Sequence, residues 1–144
     1  IVVSLTLVQP SYADSYAPDD TYLVCGNVLV AIETTLEQSI KNRFQSSSDQ
    51  DRHGAEIMVD LEILNEGAIA EYPDAGTEGQ ATKNEYWLGT FGSWYYRIDR
   101  LSGNLIYKRL SGEFKVGPEC EKTTHRTQKS MVDKHNEGLG GLKF

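Results

Sequence analysis

The side chains best suited to acid–base chemistry are two carboxylates, Asp60 and Glu62. They alternate with apolar residues, so they share one face of a strand and lie about 7 Å apart by strand rise. Glycoside hydrolysis uses a carboxyl pair at such a spacing. Outward carboxylates on a half-buried strand are far more often simply solvated, and nothing in the sequence raises their pKa. We therefore expect no catalytic residues, with a small hydrolase that uses these carboxylates as the alternative.

A second group of oxygen-bearing residues has part of the spacing of an EF-hand calcium loop. Asp49 and Asp51 stand at positions 1 and 3 of that pattern, with a glycine at position 6 and Asp60 at position 12. However, His53 replaces an oxygen ligand at position 5, and Asp60 belongs to a strand pattern instead of an exiting helix. We therefore expect residues 45–54 to be a hydrated polar loop that binds no metal.

Motifs for nucleophilic catalysis and for phosphate binding are missing from the sequence. No Gly-x-Ser-x-Gly elbow occurs, and the three histidines lie in polar stretches where a solvated imidazole is the default. The C-terminal glycines follow no predicted strand, so they do not form a phosphate-binding loop. No cofactor is expected.

The two cysteines, Cys25 and Cys120, are 95 positions apart. In an exported chain such a pair most simply forms one disulfide. Neither cysteine has a partner at the spacing of a zinc site, and two buried free thiols are the remaining alternative. A bridge that closes so long a loop contributes on the order of 4–5 kcal/mol in the chain-entropy treatment. We predict a structural disulfide between Cys25 and Cys120.

Half of the 14 aromatic residues fall between positions 86 and 107. On a sheet, aromatic rings can stack on sugars or line an apolar pocket, but more often they form the core of a small β domain. Strand alternation places Trp94 and Tyr96 on one face and Tyr95 and Arg97 on the other, so some of these side chains must lie outside the core or at its rim. The candidate binding surface consists of Trp87, Trp94, Tyr95, Arg97 and Tyr107.

The elements that position these residues are mostly short strands. Alternation of apolar and acidic residues over 55–63 predicts a half-buried antiparallel strand. Two β-rich runs, 22–25 and 28–32, are separated by a Gly-Asn turn signal. The segment 85–110 is typical of three strands joined by two tight turns. This arrangement predicts an antiparallel sheet rich in hairpins.

Other segments have less regular patterns. Composition predicts loops at 45–54 and 74–84. In 33–44 apolar residues recur every fourth position, which fits a helix stripe or one face of a strand, and two adjacent threonines favour the strand. Residues 121–144 are polar, and we expect a loosely ordered tail, a closing strand or a short helix around 130–135.

The first residues, Ile1–Ala13, are apolar and uncharged and end in Ser11-Tyr12-Ala13. This pattern is typical of the end of a secretory signal peptide, with cleavage after Ala13, and the missing basic start suggests truncation upstream. A first β-strand is the alternative. Pro10 closes the apolar run too early for a membrane span. We predict a signal peptide remnant at 1–13 and a single β domain at 14–144, exported to the periplasm or the exterior, where a disulfide can form.

The net charge of the chain is −7 at neutral pH. The field of so acidic a domain is poorly suited to binding nucleic acid or an anionic lipid surface. We therefore expect no nucleic-acid partner and no membrane-spanning segment.

Three short patches carry a resemblance to known proteins. They are Tyr22-x-x-Cys25, the run Tyr96-Arg97-Ile98-Asp99-Arg100-x-x-Gly103, and Cys120. In this combination the chain resembles small exported bacterial all-β proteins of unknown function, and it is similar to the periplasmic inhibitors of C-type lysozyme, which are small eight-stranded barrels. The inhibitors carry Tyr-x-Cys, whereas the extra residue here moves the cysteine to the other strand face, so no inhibitory residues are assigned.

These observations together predict a mainly β fold, an antiparallel barrel or sandwich of about six to eight strands with one disulfide, and they leave room for a short helix. The expected function is that of an exported, non-catalytic binding or inhibitor-like module of the cell envelope. Its partner would be an envelope protein, a glycan or a lipid. A structural subunit of an envelope assembly is a further alternative.

Overall fold

The computed structural model describes residues 15–140, in which eight antiparallel strands form a closed barrel and each strand pairs with its neighbours in sequence. The strands are β1 (Thr21–Cys25), β2 (Val28–Glu33), β3 (Ala55–Ile63), β4 (Thr77–Ala81), β5 (Glu85–Phe91), β6 (Trp94–Asp99), β7 (Asn104–Arg109) and β8 (Lys115–Thr123). The helices are α1 (Leu36–Phe44), α2 (Ser47–His53) and α3 (His125–Gly140). The predicted antiparallel β fold is confirmed. The signal peptide predicted at Ile1–Ala13 lies outside the described residues.

The barrel closes where the first strand pairs with the last. Cys25 of β1 lies opposite Cys120 of β8, with 4.1 Å between their Cα atoms, and their sulfurs are bonded. The predicted disulfide is confirmed. It therefore adds a covalent link to the one seam that joins strands distant in sequence.

Inward side chains of the barrel are apolar, as the alternation in β3 predicted. Ile57 and Val59 are fully buried, whereas Asp60 and Glu62 on the outer face are half-buried. Along β6, Tyr96 and Ile98 point inward. The packed interior consists mainly of Leu, Ile and Val side chains from six of the strands.

Two hairpin turns explain why the strands begin and end where they do. Gly26 and Gly92 have φ angles of +63° and +64°, a left-handed conformation that L side chains rarely adopt. Each glycine starts a two-residue connection between neighbouring strands, and the residue after it does not have a positive φ, as in the type II′ hairpin turn, which has glycine first. The turn predicted at 26–27 and the three strands predicted over 85–110 are confirmed.

The strand favoured over 33–44 is wrong, because residues 36–44 form α1. Thr35 is its N-cap: the Thr35 side chain accepts a hydrogen bond from the Gln38 N–H, and the Gln38 side chain accepts one from the Thr35 N–H. The threonine that favoured a strand is thus the first half of a capping box. The recurring apolar residues do form a helix stripe.

Both loops predicted from composition are corrected. Within 45–54, residues 47–53 form α2, because Ser46 caps its N-terminus through the Asp49 N–H. Within 74–84, residues 77–81 form β4 despite their polar character. A Cβ on Gly79 would lie 2.7 Å from the Trp87 carbonyl oxygen, so the close approach of β5 requires glycine there.

Amide side chains attach α1 to the barrel and α2 to α1 and to the segment before β1. Asn42 is buried, donates to the Glu56 carbonyl oxygen at 2.9 Å and accepts from the Glu56 N–H at 2.8 Å. Gln50 of α2 is also buried and accepts from the Tyr16 N–H at 3.0 Å. These amides replace the apolar contacts by which helices ordinarily dock.

The same chemistry attaches α3 to the outside of the barrel. Gln128 is fully buried, and its Nε2 donates to the carbonyl oxygens of Leu23 and Val30 at 3.1 and 2.9 Å. Asn136 pairs through both amide groups with the backbone of Ala70. The polar stretch after Cys120 thus contains the end of β8 and a docked helix.

Candidate functional site

One end of the barrel, at the start of β1, is covered by its own chain. Tyr16 and Ala17 pack against the core there. Arg100 Nη1 donates to the carbonyl oxygens of Tyr16 and Thr82 at 2.8 and 2.7 Å, and its guanidinium lies 4.4 Å from the centre of the Tyr86 ring. We call this the covered end. Its polar groups are engaged with one another, and beside them lies a cavity of about 310 Å³ whose lining includes the charged residues Asp99, Arg100 and Lys122.

The opposite end has a cavity of about 240 Å³. We call this cavity the mouth. It lies beside the β1–β2 turn, where β6 begins and β7 ends. Its lining is mostly apolar and consists of Asn27, Val28, Ile63, Trp94, Tyr96, Leu105, Tyr107 and Pro118. An apolar concavity with few polar groups is the usual form of a small-ligand site.

Aromatic rings hold one wall of the mouth in a fixed arrangement. The Trp94 and Tyr107 rings meet edge to face with 5.6 Å between their centres, and Phe91 meets Tyr96 in the same way at 6.2 Å. Burial raises the pKa of Tyr96, which keeps its hydroxyl neutral. The Arg109 guanidinium lies 5.1 Å from the centre of the Trp94 ring and provides a positive charge at the rim.

The five residues predicted as one binding surface fall on two sides of the barrel wall. Trp94 and Tyr107 line the mouth. Trp87 and Arg97 are opposite one another on the outer wall, and Tyr95 lies on the same outer side. The predicted alternation of β6 is confirmed, and it is this alternation that separates the five into two groups.

The outer group forms a cluster of cations and aromatic rings around Phe114. The Arg97 guanidinium lies 4.0 Å from the centre of the Phe114 ring, and Lys108 Nζ lies 4.8 Å from it. Arg97 Nε is also 3.1 Å from Glu85 Oε2. These side chains contact mainly one another, although Arg97 Nε makes no hydrogen bond despite its ion pair with Glu85. The mouth, which is concave and apolar, is the better candidate site.

Sequence reasoning missed three aromatic residues that complete these sites, Phe91, Tyr96 and Phe114. Tyr96 was assigned to a face but not to the binding surface. After a register shift between Trp87 and Gly89, Phe91 lies directly opposite Trp94, so the two side chains are on the same face of the sheet. Phe114 lies in a polar stretch between strands, where a single exposed aromatic residue was the only signal.

Asp60 and Glu62, considered above for acid–base chemistry, have a structural role. Asp60 Oδ2 accepts from the Asp74 N–H at 2.7 Å, and Glu62 Oε1 accepts from the Glu71 N–H at 3.1 Å. Burial raises the pKa of both carboxyl groups, and the two backbone donors oppose that effect. The pair thus fastens the connection between β3 and β4 across the outside of β3.

Replacing Asp60 with asparagine is expected to stabilise the protein at pH 7, because asparagine still accepts from the Asp74 N–H and carries no buried charge. Because the pKa of Asp60 is higher in the folded protein than in the unfolded chain, the folded protein is stabilised as the pH falls through the folded-state pKa. It loses that stability again as the pH rises through the same pKa. The advantage of D60N should therefore shrink between pH 7 and pH 4 in thermal melts. Asp60→Ala, which lacks the acceptor, should be less stable than D60N by about 1 kcal/mol. A D60N variant less stable than wild type at pH 7 would contradict this interpretation.

The residues considered for calcium binding do not come together as a loop. Asp49 and Asp51 lie on α2, where Asp51 Oδ1 accepts from the Tyr16 hydroxyl, and Asp60 lies on β3. Within residues 15–140, no group of three or more His, Cys, Asp or Glu side chains is placed to hold a metal ion. No helix of the same region combines the length and apolar character that a membrane crossing requires.

Comparison with known proteins identifies no relative: no family model, curated protein or solved structure matches this chain. The resemblance to exported β proteins is therefore limited to architecture, an eight-stranded antiparallel barrel with one disulfide. The disulfide is consistent with an oxidising compartment. The function must be argued from the mouth itself.

Proposed function

We propose that the protein is an exported, non-catalytic binding or inhibitor-like module of the cell envelope, and that the mouth receives an apolar group of its ligand. The observation that carries the proposal is the cavity of about 240 Å³ walled by Trp94 and Tyr107. Between the two ends the barrel interior is packed mainly with aliphatic side chains. The mouth is an apolar cavity where aromatic rings are already positioned, whereas charged residues form part of the lining of the cavity at the covered end.

The size of the mouth limits what it receives. Small-molecule sites commonly enclose about 300–1,000 Å³, so this cavity accommodates one ring or one apolar side chain and leaves the rest of the ligand outside. Arg109 at the rim would then meet a polar or anionic neighbour of the inserted group. A protein loop or a glycan that presents one such group fits better than a lipid that requires full enclosure.

Export is supported by the disulfide and by the apolar leader expected at the N-terminus. The non-catalytic part of the proposal is supported by the engagement of the candidate acids. Asp60 and Glu62 accept backbone hydrogen bonds outside the barrel, on the other side of its wall from the mouth. This carboxyl pair therefore does not line the cavity.

The proposal is tested by capturing envelope proteins and glycans on the immobilised protein and measuring the affinity of what is retained. Trp94→Ala should weaken binding by roughly 30-fold, as expected when a central aromatic contact worth about 2 kcal/mol is lost. Because Trp94 also packs against the core, Arg109→Gln provides a second variant at an exposed rim position. It should weaken binding several-fold without changing stability.

Leu101→Ala is the matched control, since Leu101 is 80% exposed on the β6–β7 turn at the covered end. It should bind like wild type. If every retained molecule binds W94A and R109Q as tightly as wild type, or if envelope extracts yield no ligand at all, the mouth is not the binding site and the proposal fails.

A further inference from the structure

Helix α1 has its polar and apolar faces reversed relative to an ordinary surface helix. Leu36, Ile40 and Phe44 recur every four residues and so share one face, yet they are 79%, 47% and 72% exposed. Gln38 and Asn42, on the opposite face, are buried. We call the three apolar residues the α1 stripe. A solvent-facing apolar stripe of this kind marks an interaction surface more often than a random exposed side chain does.

The hydrogen bonds of the buried face hold the stripe outward. Asn42 bonds both to the N–H and to the carbonyl oxygen of Glu56, where β3 begins. Gln38 closes the capping box on Thr35. Turning the helix to bury its apolar face would break both Asn42 bonds to β3 and leave the backbone groups of Glu56 without partners. The exposure is therefore a fixed property of the fold.

A groove of about 490 Å³ runs beside the stripe, between α1 and the start of β3. Ile40 and Phe44 form its apolar wall, and Glu37, Lys41 and Glu56 provide its charged margin. Lys41 Nζ lies 3.1 Å from Glu56 Oε1, with both side chains still largely exposed. The surface thus combines an apolar strip and a groove of side-chain size with charges of both signs.

We propose that the α1 stripe binds a second copy of this chain, with the two α1 helices antiparallel about a two-fold axis near Ile40. Leu36 and Phe44 are each four residues from Ile40. In the antiparallel pair, Ile40 therefore meets Ile40 of the second copy, and Leu36 meets Phe44 of the second copy. The same operation brings Glu37 of each copy next to Lys41 of the other, on one flank of the helix pair. The surface is thus complementary to itself in both shape and charge, as a two-fold interface requires.

The position of α1 determines which surfaces of the two barrels stay accessible in such a dimer. The helix lies between the end of β2 and the start of β3, at the covered end of the barrel, so both mouths remain open. This inference does not rest on the proposed function of the mouth. A single helix pair buries less than the roughly 1,200 Å² typical of stable interfaces, so we expect a weak dimer, seen above roughly ten micromolar.

The first test is sedimentation velocity of the full chain from about 5 µM to 1 mM, a range that brackets weak association. Wild type should shift reversibly from monomer to dimer. Ile40→Glu should weaken association by at least tenfold, and Leu101→Glu, at an exposed apolar site outside the stripe, should leave it unchanged. A wild-type chain that stays monomeric at 1 mM overturns the proposal, as does a dimer that survives I40E. If the chain stays monomeric, the α1 stripe would instead be a binding surface for a different protein.

The second test examines the symmetry. Glu37→Lys should weaken the dimer about two- to fivefold, and the double variant E37K/K41E should bind more tightly than E37K, because the exchanged charges again face each other across the two-fold axis. The recovery should be partial, since K41E also loses the ion pair with Glu56. Ile40→Cys should form an intermolecular disulfide under mild oxidation, whereas Leu36→Cys should not, since the two copies of position 36 lie two turns apart. Efficient cross-linking of L36C, or no rescue by the double variant, contradicts the antiparallel arrangement.

Discussion

Removing the disulfide is expected to lower the free energy of unfolding by about 4 kcal/mol. The bond between Cys25 and Cys120 joins residues 95 positions apart, so its loss frees a long loop in the unfolded chain. The effect should be large relative to the 5–15 kcal/mol by which small domains are commonly stable. Urea denaturation of C25A/C120A against wild type measures it, and alanine is preferred because Cys25 is fully buried and a serine hydroxyl would lack a partner there.

Reduced wild type provides the matched control, because it keeps both side chains and loses only the bond. It should resemble C25A/C120A in urea midpoint, while the variant itself should not respond to reductant. A loss below about 1 kcal/mol in both would mean that the β1–β8 hydrogen bonds alone hold the seam closed. The disulfide would then be a minor contributor to stability.

The strands and the disulfide could be predicted from sequence because their signals are local or paired. The alternation of apolar and polar residues over 55–63 arises because one face of the strand is buried and the other faces solvent. The turn at Gly26 requires a positive φ, which glycine adopts readily. Two cysteines without partners at metal-site spacing leave few alternatives to a single bridge. Each of these features follows from a rule that needs no knowledge of the tertiary neighbours.

The helices could not be predicted in the same way, because their attachment reverses the usual pattern. An apolar stripe at Leu36 and Ile40 ordinarily faces the core, but here Asn42 faces it, because the edge of β3 offers a backbone N–H and a carbonyl oxygen. Similarly, β4 has no apolar alternation, and it is a strand because β3 and β5 pair with it on both sides. Tertiary pairing overrides local propensity at such positions.

Only part of the candidate site could be predicted from the sequence, because the site also depends on tertiary pairing. Alternation correctly separated Trp94 from Tyr95, but the mouth exists only once the sheet closes. Closure brings Val28 of β2 and Ile63 of β3 opposite the aromatic residues of β6 and β7. The grouping of Trp87 and Arg97 with Trp94 followed from their nearness in sequence, whereas the barrel wall separates them in space.

Replacing Asn42 with alanine is expected to destabilise the protein by about 3 kcal/mol, the second-largest effect that we predict. The change removes two hydrogen bonds of 2.8 and 2.9 Å and leaves the N–H and carbonyl oxygen of Glu56 without partners at a buried edge. Arg43→Ala, one position along the same helix and exposed, is the matched control and should cost less than about 0.5 kcal/mol. Urea denaturation monitored by circular dichroism measures both.

Asn42→Asp separates hydrogen bonding from simple packing, because it keeps the volume of the side chain. Aspartate still accepts from the Glu56 N–H but cannot donate to its carbonyl oxygen when ionised, and it places a charge in a site that is 1% exposed. N42D should therefore be strongly destabilised at pH 7 and recover part of its stability toward pH 4, where a protonated carboxyl can donate. If N42A costs less than about 1 kcal/mol, the amide does not hold α1 in place. The helix would then be free to turn its apolar stripe inward, and the reason that we give for the exposed stripe would fail with it.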